Sequence, residues 1–154
     1  MKEKILIGRS DRIDFPDLHM SNVEAKVDTG AYTSAIHYHH AEEREEHGKK
    51  VLHFTLLDPE HPEFNGKKFF FDSYEKRHIK NSFGESEERF IIKTHIILFD
   101  KTIEAEFSLS NRGNLKFPIL LGRKLLKKGY VVDVRKKNLS YKKKKEHEDR
   151  NIIS

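Results

Sequence analysis

The sequence of 154 residues contains no cysteine. Disulfides, thiolate zinc sites, iron–sulfur clusters and cysteine nucleophiles are therefore excluded. No apolar run approaches the roughly 20 residues that a membrane-spanning helix needs, and the N-terminal run at residues 5–7 is too short for a signal-peptide core. These absences predict a soluble, cytoplasmic protein that has no membrane partner.

Three motifs of common enzyme classes are missing as well. The phosphate-binding pattern Gly-x-x-x-x-Gly-Lys-Ser/Thr does not occur, because Gly66-Lys67 lacks the upstream glycine. Neither the zinc-binding pattern His-Glu-x-x-His nor the serine hydrolase pattern Gly-x-Ser-x-Gly is present. The sequence therefore indicates no cofactor.

The formal net charge of +5 is confined to the C-terminus. Residues 135–154 contain eight Lys or Arg and three acidic residues, so the rest of the chain is neutral. With no Gly-, Ser- or Pro-rich linker, we predict one domain over residues 1–139 and a basic, disordered tail over 140–154. Such a tail either stays solvated or attracts an anionic partner. Nucleic acid is not the expected partner, because a basic tail alone binds it weakly and without specificity.

Alternation of apolar and polar residues predicts a chain made mostly of strands. Val23, Ala25 and Val27 alternate with charged residues, which is typical of a half-buried strand. Further strands are predicted at 33–40, 51–57, 69–71, 90–98, 103–109, 119–121 and 130–134. A helix of about two turns is predicted over 123–128, ended by Gly129. The sequence thus predicts an all-β fold, a small closed sheet with one short C-terminal helix.

Two polar segments are predicted to be loops. Residues 41–50 are rich in charges of both signs and have no apolar face. Residues 76–88 contain the turn signal 81–84, which predicts a hairpin tip between two strands.

The tripeptide Asp28-Thr29-Gly30 follows directly on the strand 23–27. A charge at the end of a core-facing strand is costly unless it is paired or used. Gly30 permits a tight turn and the close approach of a ligand or a second chain, and the Thr29 hydroxyl can lock the turn. The tripeptide alone is more typical of a surface turn than of a functional site.

A second motif late in the chain gives the tripeptide a context. Asp28-Thr29-Gly30-Ala31 followed by Ile119-Leu120-Leu121-Gly122-Arg123 resembles the retropepsin-type aspartic peptidases. A closer resemblance is to the RimB-like proteins described as ATP-dependent zinc proteases, which occur alongside RimK-type glutamate ligases. Some of these proteins trim glutamate tails from a ribosomal protein. The blocks that carry this resemblance are residues 7–9, 26–37, 81–84, 88–89 and 117–123.

The resemblance implies a retropepsin-like closed β barrel and a homodimeric aspartic peptidase that acts on a peptide. The family's link to glutamate ligases suggests an acidic glutamate tail as substrate, which the basic terminus would help to recruit. Asp28 would form a catalytic pair with Asp28 of a second copy, Thr29 would bond across the dimer axis, and Gly30 would allow the close approach. Substrate-binding roles would fall to Ala31, Asn81, Ser82, Gly84 and Arg89. Structural support of the site would come from Ile119, Leu120, Leu121, Gly122 and Arg123.

Two alternatives remain open from the residues themselves. His37 and His39 would share one face of a strand and could grip one zinc ion, although the sequence names no third ligand. The chain could also be a non-catalytic β-barrel module that binds an anionic partner and keeps the Asp28 turn for structure.

Overall fold

A computed structural model describes residues 3–80 and 83–153 of the chain. These residues form eleven strands, two α-helices and a short 3-10 turn at Pro16–Leu18. The strands are β1 (Ile5–Ile7), β2 (Ser10–Phe15), β3 (Met20–Val27), β4 (Ser34–Glu46), β5 (Lys49–Leu56), β6 (Phe69–Phe71), β7 (Glu75–Lys80), β8 (Ser86–Leu98), β9 (Lys101–Ser110), β10 (Ile119–Leu121) and β11 (Tyr130–Val132). The helices are α1 (Arg123–Leu126) and α2 (Leu139–Ile153).

Six of the strands form a closed ring. Hydrogen-bonded neighbours follow the order β10, β3, β2, β8, β9 and β4, and β4 pairs back with β10. Strands β5 and β6 extend the sheet from β4, and β7 pairs with β8. The prediction of a mostly β fold with a closed sheet is confirmed, and so is the short helix that follows β10.

The apolar core fills the inside of this ring. On β3, Val23, Ala25 and Val27 are buried, whereas the residues between them are more exposed. This is the pattern of a strand with one face on a core. Across the core, the rings of Phe15 and Phe107 pack edge to face with their centroids 5.4 Å apart.

The prediction of a loop at residues 41–50 is wrong, because β4 and β5 continue through it as a hairpin. The turn at its tip has positive φ at both central residues, 51° at His47 and 79° at Gly48, as two-residue hairpin turns require. Opposite charges face each other across the strands, as at the pair Glu45 and Lys50. Both faces of the hairpin tip are solvated, so the sequence lacks the alternation that marks a half-buried strand.

The second predicted loop, 76–88, is in large part a hairpin too. Strands β7 and β8 pair from Glu75 opposite Ile91 to Lys80 opposite Ser86. The predicted hairpin is confirmed, with longer strands than the sequence suggested. Asn81 and Ser82, which join the two strands, lie outside the described residues.

The prediction of a disordered tail after residue 139 is wrong for residues 140–153, which belong to helix α2. Helix α2 is held by Asp11 of strand β2. Both Asp11 carboxylate oxygens accept backbone N–H groups of the first turn of α2, from Ser140 at 2.9 Å and from Tyr141 at 3.1 Å. Lys144 adds an ion pair, with Nζ 2.8 Å from Asp14 Oδ2. Over the described part of the chain, no helix is both long enough and apolar enough to cross a bilayer.

Candidate functional site

The Asp28 turn lies where β3 leaves the ring. The backbone stays extended for one residue past the strand, because Val27 N donates to Arg9 O on one side and Asp28 N donates to Leu121 O on the other, both at 2.9 Å. The chain then turns, and Gly30 N donates to Asp28 Oδ1 at 2.8 Å. Asp28 is half-buried, whereas Thr29 and Gly30 are exposed. The Asp28 carboxylate is thus held by its own turn and remains accessible.

Gly122 lets the second motif pack against this turn. A Cβ atom on Gly122 would lie 2.6 Å from the carbonyl oxygen of Tyr32, closer than van der Waals contact allows. The Gly122 N–H donates to Ser34 Oγ at 3.0 Å. The predicted supporting residues Ile119, Leu120 and Leu121 form β10, which pairs with β3 on one side and β4 on the other.

Arg123 stabilises the Asp28 turn through hydrogen bonds to residues 29 and 31. Its backbone N–H donates to the carbonyl oxygen of Ala31 at 2.8 Å, and its Nη1 donates to the carbonyl oxygen of Thr29 at 2.9 Å. The structure therefore brings the two motifs noted in the sequence into direct contact. Ala31, predicted to bind substrate, has its carbonyl oxygen engaged in this contact.

A cation that the sequence analysis missed lies close to the catalytic candidate. Burial lowers the pKa of Arg112, the negative charge of Asp28 acts to raise it, and the positive charge of Arg89 lowers it further. Arg112 is oriented by its Nε, which donates to the carbonyl oxygen of Phe117 at 3.1 Å. The only signal in the sequence was an arginine placed just after a strand of alternating apolar and polar residues.

Arg89, a predicted substrate-binding residue, lies close enough to Arg112 for its positive charge to lower the pKa of that guanidinium. It lies on β8 opposite Arg77, and its Nη2 donates to Glu87 Oε2 at 3.0 Å. Gly84 lies between β7 and β8 and has a φ of 80°. The hairpin formed by β7 and β8 therefore places a positive charge near Arg112.

Behind Arg112, a buried histidine holds the backbone. His37 Nδ1 accepts the Arg112 backbone N–H at 2.8 Å, and His37 Nε2 lies 2.9 Å from Asp58 Oδ1. An acceptor at Nδ1 requires the neutral tautomer with its proton on Nε2, which faces the carboxylate. The interaction with His37 holds the pKa of Asp58 below its usual value, although partial desolvation opposes the shift.

The two histidines considered as zinc ligands both approach Asp58. His39 Nδ1 lies 3.6 Å from the same Asp58 oxygen as His37, and His39 is exposed whereas His37 is buried. Within residues 3–80 and 83–153, no group of three or more His, Asp or Glu side chains is arranged to hold a metal ion. The His37–Asp58 pair instead fixes the position of Arg112.

Comparisons with known proteins identify relatives of this chain. Residues 6–143 match the family described as RimB-like, retropepsin-like aspartic endopeptidase RimB. A protein from Shewanella pealeana named probable alpha-L-glutamate ligase is 34% identical over 134 residues, which are 84% of this chain and 28% of that protein. A protein of the same name from Desulfotalea psychrophila matches with the same identity and coverage. The chain thus spans less than a third of the length of these relatives.

A solved structure shows the same fold. The crystal structure of a Legionella pneumophila protein of unknown function superimposes with a TM-score of 0.63 at 24% sequence identity. The match covers 88% of this chain and 97% of the other. At this identity the likeness concerns the fold alone.

Proposed function

Because this chain belongs to the RimB-like family of retropepsin-like aspartic endopeptidases, we propose that it is a peptidase with Asp28 as its catalytic carboxylate. The main support for this proposal is the geometry of the Asp28 turn. A half-buried carboxylate is held at the end of a strand by the Gly30 N–H, and the Gly122–Arg123 segment fixes the turn from behind. A turn fixed in this way can hold its carboxylate in one position for a reacting peptide.

One carboxylate per chain supplies half of the chemistry, so the proposed enzyme is a homodimer. Aspartic peptidases use two carboxyl groups that share one proton, because two carboxylates at close range repel each other. Two-fold symmetry would place Asp28 opposite Asp28 of the partner. In this arrangement the exposed Thr29 would bond across the axis, and Gly30 would let the two turns approach.

The proposed reaction needs no group beyond this pair and a water molecule. The ionised carboxylate takes a proton from the water while the water oxygen bonds to the peptide carbonyl carbon. The protonated carboxyl donates to the carbonyl oxygen, on which negative charge develops. When the C–N bond breaks, the leaving nitrogen takes up a proton from the pair and leaves as an amine. The acid and amine products therefore balance the peptide and the water.

Glutamate-rich peptides are the substrate class that we propose. The relatives named probable alpha-L-glutamate ligase contain a segment similar to this chain within a longer protein. A peptidase domain joined to such a ligase would meet the glutamate residues that the ligase adds. The positive charge of Arg112 near Asp28, and that of Arg89 near Arg112, are of the sign that such a substrate requires.

The test is hydrolysis of glutamate-extended peptides by purified protein and by Asp28→Asn. We expect the substitution to preserve the fold and to lower turnover by at least about 100-fold, because it removes acid–base catalysis. Asp72→Asn, at an exposed aspartate, is the matched control and should retain full activity. Full activity of Asp28→Asn would contradict the proposed catalytic role.

The same assay distinguishes the alternatives. Activity that disappears in a chelator and returns with Zn²⁺ would favour a metal site at His37 and His39. Binding of glutamate peptides without any hydrolysis would favour a non-catalytic binding module. Hydrolysis that persists in the chelator and is lost in Asp28→Asn is the expected result.

A further inference from the structure

A groove of about 240 Å³ at the start of β2 and the middle of β3 is lined by several basic side chains. We name it the cationic groove and define it by Arg9, Arg12, Lys116 and Lys137. These residues come from three separate parts of the chain, namely the start of β2, the loop before β10 and the segment before α2. The positive charge of the groove is therefore a product of the fold and is not visible as a run in the sequence.

A glycine allows the walls of the groove to meet. A Cβ atom on Gly8 would lie 2.3 Å from the carbonyl oxygen of Lys136, so only glycine permits this approach of the two segments. Arg9 N donates to Lys136 O at 2.8 Å, and Asn138 N donates to Ser10 O at 2.9 Å. These two backbone bonds fix Lys137 against the start of β2.

Arg12 and Glu24, which line the groove, share a face of the sheet with Asp28. Glu24 and Lys26 alternate with the buried residues of β3, and the extended backbone continues this alternation to Asp28. On β2, Arg12 pairs with Glu24 and Ser10 pairs with Lys26, so these residues share that face. The backbone of Arg9 bonds to Val27, directly before Asp28.

The length of this face suits an extended peptide. The distance from Glu24 to Asp28 along the strand is about 13 Å, since an extended chain rises about 3.3 Å per residue. A substrate strand that crosses Asp28 and continues over the groove would place several successive side chains near these cations. The groove therefore suits a run of acidic residues better than a single one.

The acidic groups that line the groove are already occupied. Asp11 accepts the N–H groups of Ser140 and Tyr141, and Glu24 forms an ion pair with Arg12 at 3.6 Å. Within the ranges that the structure describes, Lys116 and Lys137 form no ion pair with an acidic side chain. These two lysines leave an uncompensated positive charge that attracts anions.

We infer that the cationic groove binds the acidic side chains of the peptide substrate and so determines specificity for glutamate-rich sequences. This inference rests on the proposed function, because it assumes that the substrate crosses Asp28. It assigns recognition to Lys116 and Lys137 on the body of the protein, and not to the lysine run of α2.

The experiment measures binding apart from catalysis. A fluorescently labelled oligoglutamate peptide is titrated into Asp28→Asn protein, with or without the added changes Lys116→Gln and Lys137→Gln. Loss of both charges should raise Kd about 10-fold, since each exposed charge pair contributes only a modest attraction that salt screens. The matched control carries Lys142→Gln and Lys143→Gln, at two exposed lysines of α2, and should bind like the parent.

Three outcomes would overturn the inference. An unchanged Kd in the groove variant, an equal loss in the α2 control, or equal binding of an oligoglutamine peptide would each exclude recognition of acidic groups by the groove. Failure of the proposed function gives a different pattern, because the groove variant would lose oligoglutamate binding while the wild-type chain hydrolysed no peptide.

Discussion

Gly122 shows how little space separates the two motifs of the site. Its position next to the Tyr32 carbonyl leaves no room for a methyl group, and the contact is with backbone, which cannot rotate away as a side chain can. The hydrogen bonds from Arg123 to Ala31 and Thr29 depend on the same approach. The addition of a Cβ atom at Gly122 should therefore displace the Asp28 turn.

We predict that Gly122→Ala lowers the free energy of unfolding by about 1–3 kcal/mol, as overpacking of a close contact does. The displaced turn should also lower peptidase activity. Urea unfolding and the peptide assay measure the two effects. Gly48→Asn is the control, because Gly48 has open space around it and asparagine tolerates its positive φ of 79°. Unchanged stability and activity in Gly122→Ala would contradict the role of this contact.

Individual residues of the site differ in how far the sequence could predict them. Asp28 stands out because a charge follows an apolar strand, and Gly122 because it interrupts an apolar strand–helix junction. Arg112 and its support from His37 and Asp58 were missed, since these three come from segments far apart in sequence. Their association depends on the ring of strands, which no local pattern encodes.

At the scale of elements, alternation predicted the strands that have one face on the core. Strand β3 shows this from Val23 to Val27, where every second residue is buried. Where both faces of a strand meet solvent, as at the tip of the β4–β5 hairpin, the sequence has no such alternation and the strand was not predicted. The prediction was also wrong at α2, whose lysine-rich sequence indicates disorder by itself. Helix α2 is held by contacts with β2 that only the folded chain provides.

Asp11 is the contact that we expect to decide whether α2 forms. Burial raises the pKa of this carboxyl, and three backbone N–H groups, including those of Ser140 and Tyr141, oppose the shift. Asp11→Ala removes both acceptors from the helix N-terminus and should lower the free energy of unfolding by about 1–2 kcal/mol. Asp11→Asn keeps one acceptor and should have a smaller effect.

Hydrogen exchange measures the consequence for the helix. Amides 142–150 should exchange faster in Asp11→Ala than in the wild-type chain, because the first turn of α2 has lost its cap. Amides of β9, which is distant in the chain, provide the internal reference. Equal protection of α2 in both proteins would show that other contacts, such as Lys144 with Asp14, are sufficient to hold it.

At the scale of the whole molecule, the ring places one Asp28 carboxylate on a surface that a second copy can reach. The register of β1 and β11 also sets Leu6 opposite Val131, and these apolar side chains are 46% and 44% exposed. Exposed apolar groups next to each other are typical of surfaces that another chain covers. In the homodimer that we propose, we expect the second copy to cover this apolar pair.

We predict that activity requires two intact Asp28 carboxylates in one assembly. Specific activity should fall on dilution, because the dimer dissociates. An excess of inactive Asp28→Asn protein should suppress the wild-type enzyme, since mixed dimers contain only one carboxylate of the pair. The control is Asp28→Asn that also carries Leu6→Glu and Val131→Glu at the proposed dimer contact, and we expect that it does not suppress the wild-type enzyme. Specific activity that stays constant on dilution and is unaffected by the Asp28→Asn protein would show that the single chain is active, and the shared pair would then be wrong.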